Sequence, residues 1–318
     1  MRVLVIGGAG FLGSYVLREL QDAGSTVCVF DQQTPAAPAA NATYVTGDVR
    51  NAGDMAQCFT DFRPDVVVHM AAIVNPRVLR EQPILAYEVN TTSVVTALDL
   101  AVKSGASRFV YVSSISAVAP SPSEPIGADA PLVNSQGGST LAFYGTSKAA
   151  AECWVMGFRE VFNLDVRIVR PSAVYGPGMQ YGMGIRDMVE GAVAGDPVSL
   201  TEGTRVRRDY THVADVASLV ERCAHVDLAP DDVRIFYGAT GRLPVDQFAL
   251  RDVLLEVMPE ADIMLADVIT DLEAQENSFR GVLDIVPARE LLGWEPQRRE
   301  LRDGVASYIA AASGRAAS

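Results

Sequence analysis

Met1-Arg-Val-Leu-Val-Ile-Gly7-Gly8-Ala9-Gly10-Phe11-Leu12-Gly13 opens the chain. Val3 to Ile6 is a short, largely β-branched apolar run, which reads as a buried strand. Glycines follow at once, and then SYVLRELQDAG carries Val16, Leu17 and Leu20 at helical spacing before stopping at Gly24. Strand, glycine turn and helix form the context that makes a glycine motif a dinucleotide site. The glycines let backbone approach a pyrophosphate, whose charge sits on the helix N-terminus. The string reads as GxGxxG from Gly8 and as GxxGxxG from Gly7, so glycine spacing alone leaves the subfamily open. A second run, TVCVF, ends in Asp31, 18 residues beyond Gly13. A carboxylate there accepts both ribose hydroxyls of NAD and repels a 2′-phosphate. Gln32 and Gln33 come next and supply no cation for NADP, so the sequence predicts NAD.

Along the rest of the chain the apolar runs VCVF, VVVHM, FVYV, VRIV and VRIF recur with helical patterns between most of them. Ile84 to Val102 and Gly145 to Val161 are two such helices. The alternation predicts an α/β protein, a Rossmann-type doubly wound parallel sheet with a small C-terminal substrate-binding lobe. Residues 1–175 and 208–240 are assigned to the sheet domain, 176–207 and 241–305 to a discontinuous lobe, and 306–318 to a frayed tail. The stretch from Ala119 to Ala142 is rich in Pro, Ser and Gly. A long loop without structure of its own is usually functional, and this one is expected to border the substrate.

The chemistry is carried by two short motifs. Ser113-Ser114 closes the FVYV run, and Tyr144-Gly-Thr-Ser-Lys148 opens the next helix. Tyr and Lys four apart share one helix face. An ammonium there favours the phenolate of a tyrosine whose ordinary pKa is about 10. Such a tyrosine can take a proton from an alcohol, with a serine hydroxyl orienting the same oxygen. Alone the spacing describes an ordinary helix face; the dinucleotide motif at the other end gives it meaning.

Together these pieces resemble the extended short-chain dehydrogenase/reductases, the NAD-dependent epimerase/dehydratase family, from Met1 to about Trp294. The resemblance implies an NAD-dependent enzyme whose cofactor is held by Gly7, Gly10, Phe11, Leu12, Gly13 and Asp31. It places Asp48 and Val49 at the adenine, and Met70, Ala71 and Ala72 (after His69) on a strand facing the cofactor. Asn90, Ser113 and Pro171 join the cofactor set. Ser114, Tyr144 and Lys148 match the catalytic triad, with Lys148 also holding the nicotinamide ribose. Arg170-Pro-Ser-Ala-Val-Tyr-Gly-Pro-Gly178 resembles the passage into the substrate lobe. Arg208-Asp-Tyr-Thr-His212-Val-Ala-Asp215 and Leu292-Gly-Trp294 are the late markers, Arg208 matching a diphosphate arginine and Asp215 reading as a helix N-cap.

Departures from the family pattern bear on the substrate. Ala173 stands where family members acting on nucleotide sugars carry Asn. A second diphosphate arginine is expected ten residues before Asp284, but Ala274 occupies that place and the nearest arginine is Arg280. One phosphate clamp therefore remains, and weak binding of free UDP is expected. Ile115 and Ser116 replace the Asp-Glu pair that eliminates water in sugar-nucleotide dehydratases, which argues against that chemistry.

The formal charge of −13 argues against nucleic acid or an anionic membrane as partner. The four cysteines and three histidines are scattered, without metal-ligand spacing. No signal peptide or bilayer-length apolar run is read, so a cytoplasmic location is expected. The family resemblance adds a homodimer. The resulting expectation is an NAD-dependent oxidoreductase acting on a secondary alcohol of a sugar-like, polyhydroxylated substrate, as dehydrogenase or epimerase, with no metal. The alternatives are a nucleotide-sugar 4-epimerase with tightly held NAD and a non-catalytic Rossmann-fold sensor.

Overall fold

The apolar runs become central strands because both of their faces are covered, which is what continuous rather than alternating hydrophobicity demands. The computed structural model describes residues 1–35, 38–119, 121, 124–133, 142–180, 183–278 and 280–316. Among them the strands are β1 Arg2–Ile6, β2 Thr26–Asp31, β3 Ala42–Thr46, β4 Val66–His69, β5 Arg108–Val112, β6 Asp165–Pro171, β7 Ala173–Tyr175, β8 Val198–Leu200, β9 Tyr210–His212, β10 Ile235–Gly238 and β11 Ile263–Leu265. The helices are α1 Phe11–Asp22, α2 Ala52–Phe62, α3 Pro76–Glu81, α4 Pro83–Tyr87, α5 Ser93–Ser104, α6 Ala142–Phe162, α7 Ile185–Ala194, α8 Val213–His225, α9 Gln247–Val257, α10 Asp271–Asn277, α11 Val286–Leu292 and α12 Leu301–Ala316. One π-turn, Glu88–Thr92, joins α4 to α5.

Seven strands form one parallel sheet in the order β10-β6-β5-β4-β1-β2-β3. Val3 lies between Val27 and Val66. On one face Val16, Leu17 and Leu20 of α1 and Leu219 and Val220 of α8 pack against Val3 and Val5. On the other, Phe59 of α2, Leu98 of α5 and Val155 of α6 cover Leu4 and Ile6. Strand order reverses at β1, between β2 and β4, and a crevice opens at such a switch point, beyond the strands' C-terminal ends. A third core joins α7, α9 and α12 through Met188, Leu250 and Tyr308, beside the small β8–β11 and β7–β9 pairs. Among the described residues, no helix is long and apolar enough to cross a membrane.

Several expectations need correction. Strand β3 was not foreseen, because ATYVT is a half-exposed edge with only two large apolar residues. The frayed tail is instead the body of α12 through Ala316, with residues 317–318 outside the described residues. Val305, Tyr308 and Ala312 are buried at helical spacing, and the Tyr308 hydroxyl donates to Glu190 Oε1 at 2.9 Å. Residues 283–294, assigned to the lobe, pack with the sheet: Trp294 Nε1 donates to the Asp215 carbonyl and to Ser218 Oγ on α8. His212, not Asp215, caps α8, its Nδ1 accepting from Ala214 N, while the Asp215 carboxylate accepts from Gln297 N and Arg298 N. Within the 119–142 loop, residues 120, 122–123 and 134–141 lie outside the described residues. Of the remainder, Ile126 bridges Leu283 and is buried with Ala130 in the core.

Candidate active site

The crevice is a cavity of about 840 Å³ whose wall draws on the ends of β1, β2, β4, β5 and β6. At one end the glycine turn leaves no room for side chains. Gly7 has φ +84°, and a Cβ there would lie 2.4 Å from Ala71 N. A Cβ on Gly13 would meet the Gly8 carbonyl oxygen at 2.3 Å, so α1 can pack this close only through glycine. Gly10 caps α1 without a side-chain bond, which leaves first-turn N–H groups for an anion. Asp31 Oδ2 accepts from Ala9 N at 2.9 Å, fixing the carboxylate beside the turn, and its other oxygen accepts from Gln33 N at 3.2 Å. This bare cradle and its adjoining carboxylate fit the pyrophosphate and ribose of a dinucleotide.

At the other end stand Ser113, Ser114, Tyr144, Lys148 and Pro171. Ser114 and Tyr144 side chains are hydrogen-bonded to each other, and Ser114 Oγ also accepts from Ser116 N. Lys148 is buried; its Nζ donates to the Val112 carbonyl at 2.8 Å and lies 5.8 Å from the Tyr144 ring centre. Burial pushes the Tyr144 pKa up to about 12, with the Ser114 hydrogen bond opposing it. Burial also brings Lys148 down to about 7, against the pull of Glu152. The phenol keeps its proton, and the amine is the group poised near neutral pH.

Gly7, Gly10, Phe11, Leu12, Gly13, Asp31, Val49, Met70, Ala71 and Ala72 all line the same cavity as the Ser-Tyr-Lys set. Three expected residues stand outside its wall. Asp48 is tied to Arg50, accepting at 3.1 Å and 3.0 Å from Nε and 2.5 Å from Nη2, which holds its carboxyl down at about 2. Asn90 is fully buried: Oδ1 accepts from Ile73 N at 2.7 Å while Nδ2 donates to the Ile73 carbonyl and Ser147 Oγ. It clamps the β4 loop to α6 rather than facing the cavity. Arg208 lines a separate cavity of about 620 Å³ with Tyr210, Arg242 and Arg299.

Sequence reading missed Arg50, which enters the wall beside Asp31, Gln32 and Gln33. Only the unforeseen β3, paired with β2, brings it there. It also missed an apolar flank of Val74, Val78, Leu85, Val174, Met179 and Met183 near Asn75 and Gln180. Their position after the His69-Met70-Ala71-Ala72 segment and within or just after Arg170 to Gly178 was the available signal.

A family model described as the NAD dependent epimerase/dehydratase family matches residues 3–235. UDP-glucose 4-epimerase of Mycolicibacterium smegmatis is 26% identical over 322 residues, covering 97% of both chains. The enzyme of the same name from Azospirillum brasilense is 31% identical over 240 residues, covering 68% of this chain and 66% of its own. The solved Thermus thermophilus UDP-glucose 4-epimerase complex with NAD superposes with a TM-score of 0.81 at 25% identity, covering 99% of each.

Proposed function

The chain belongs to the NAD dependent epimerase/dehydratase family, and from that premise we propose that this NAD-dependent enzyme oxidises a secondary alcohol of a sugar-like, polyhydroxylated substrate. The observation that carries the reading is that the glycine cradle, Asp31 and the Ser114–Tyr144–Lys148 set share one cavity. NAD bound there supplies the hydride acceptor and, in epimerisation, the hydride donor. Backbone at Gly7 to Gly13 holds the pyrophosphate, Asp31 the adenine-side ribose, and Val49, Met70, Ala71, Ala72, Ser113 and Pro171 the rings. Ser114 orients the reacting oxygen, Tyr144 exchanges its proton, and Lys148 holds the nicotinamide ribose and sets the field at the phenol.

The second reading is a nucleotide-sugar 4-epimerase, and a specific observation favours it besides the names of the relatives. Arg280, the arginine that sequence spacing left unmatched, lies within electrostatic reach of Arg208, and both act on the buried Tyr210. Two guanidinium groups held near one another suit a diphosphate. The readings separate on two measurements: whether NAD survives gel filtration on the purified protein, and whether UDP-glucose and UDP-galactose interconvert without added cofactor. Retained NAD with interconversion selects the epimerase; loss of cofactor with NADH release selects the dehydrogenase.

The proposal includes a cytoplasmic homodimer. Ile84, Trp154 and Val161 are 74%, 52% and 73% exposed on α4 and α6, an apolar surface that a second copy would cover. Light scattering on the purified protein tests it; a monomer mass overturns it.

A further inference from the structure

One buried acid near the active site has no part in that chemistry. Glu152 lies on α6 one turn beyond Lys148, as Lys148 lies one turn beyond Tyr144, so the three share a helix face. Its carboxylate is 2% exposed and fully engaged. Ser113 Oγ donates to Oε1, and Arg170 forks onto it through Nε at 3.1 Å and 3.2 Å and Nη2 at 2.7 Å. Arg170, itself buried, reaches on to Tyr237 Oη at 3.3 Å and the Ala128 carbonyl at 3.2 Å. The Tyr237 hydroxyl donates to the Gly127 carbonyl at 2.9 Å. One acid thus joins the helix of Tyr144 and Lys148 to the strand end bearing Ser114 and, through Arg170, to the Gly127–Ala128 backbone.

We propose that Glu152 is a positioning residue that supports the positive charge of Lys148 from one helical turn away and holds the Ser113–Ser114 strand end in register with Tyr144. This assignment rests on the proposed alcohol oxidation for its purpose, but its physical content does not need a substrate. The groups facing Lys148 come from three elements. Tyr111 of β5 lies 4.9 Å below its Nζ, with burial holding that phenol protonated. His69 of β4 is kept neutral, its pKa pushed down to about 3 by burial and then by Lys148 itself. Tyr144 keeps its proton. Among the described residues, Glu152 is the acid whose field sustains the Lys148 charge.

Composition makes the choice of lysine pointed. The chain has 26 Lys and Arg residues, and only Lys103 and Lys148 are lysines. An arginine in this pocket could not titrate near neutrality, whereas a buried lysine can. The scarcity also supplies the experiment. With ¹⁵N-labelled lysine the intact protein gives two side-chain amine signals, and Lys103→Arg assigns them. The Lys148 midpoint is then read directly against pH, without substrate.

Glu152→Gln should lower that midpoint by about one pH unit. Because the single change strands a buried arginine, the Glu152→Gln/Arg170→Met double variant is the second arm. It should recover thermal stability while the Lys148 midpoint stays lowered, though by less, since the Arg170 charge leaves too. Glu152→Asp should hold the midpoint near that of the unmodified protein. A folded double variant with the original midpoint overturns the assignment, leaving the pair a purely structural one. A lowered midpoint in a protein that oxidises no alcohol upholds the role of Glu152 toward Lys148 and overturns the catalytic reading instead.

Discussion

The Tyr144–Lys148 pair illustrates what a residue pattern can and cannot say. Spacing put both side chains on one face, and the fold places them together in the cavity. Their protonation was not legible, because it depends on burial that only the packed sheet creates. With the phenol near 12 and the amine near 7, the reactive phenolate beside an ammonium holds as many protons as a neutral phenol beside a neutral amine. That form becomes available only once the pair has lost one proton. For alcohol oxidation kcat should therefore rise with pH up to about 7 and then level, while carbonyl reduction by the same enzyme falls above it. A rate that keeps climbing to pH 10 would put control on the phenol alone. Tyr144→Phe should lower kcat about 100-fold or more with NAD affinity nearly intact; near-normal turnover would remove Tyr144 from the chemistry.

Asp31 belongs to the same scale. It meets the Ala9 amide, and with a 2′-phosphate placed beside it the carboxylate would lose its 2′-hydroxyl partner and face a like charge. NAD should be preferred over NADP in kcat/KM by about tenfold or more, judged from a charge penalty of about 1.4 kcal/mol or above. Arg50 adds a consequence that spacing did not offer, since Asp48 keeps its guanidinium occupied. Asp31→Ala should narrow the cofactor ratio, and adding Asp48→Ala should narrow it further by freeing Arg50. Steady-state kinetics with both cofactors decides; an unmodified protein that prefers NADP contradicts the role of Asp31.

Among elements, those with long apolar runs were legible and those without were not. β1, β2, β4, β5 and β6 carry their burial in their own sequence. β3 and α12 do not: the first is an edge, and the second hides a stripe of Val305, Tyr308 and Ala312 among alanines and glycines. The stripe holds the lobe by packing on α7 and α9. Tyr308→Ala should cost about 3–5 kcal/mol, the usual range for truncating a buried aromatic. Tyr308→Phe, losing the bond to Glu190, should cost about 1 kcal/mol. Chemical denaturation measures both; equal costs would mean that the hydroxyl, rather than the ring, anchors α12.

At the scale of the whole molecule the open question is what the lobe grips. The sequence left a single arginine, Arg208, and so pointed to weak nucleotide binding. Folding places Arg280 within electrostatic reach of Arg208, although 72 residues separate them in the chain; Arg208, not Arg280, lines the second cavity. Arg280 is paired with Glu276 on one side, and its buried Nε has no partner among the described residues. Two charge-assisted contacts at about 1.5–3 kcal/mol each supply about 3–6 kcal/mol. A micromolar ligand needs about 8 kcal/mol, so burial of a base must supply the remainder. Calorimetric titration of the NAD-loaded protein with UDP should give a Kd in the micromolar range, weakened about tenfold or more by Arg208→Ala and again by Arg280→Ala. Heat too small to fit with UDP, GDP and dTDP alike would return the substrate to the non-nucleotide alcohols and leave the two arginines a structural pair in the lobe.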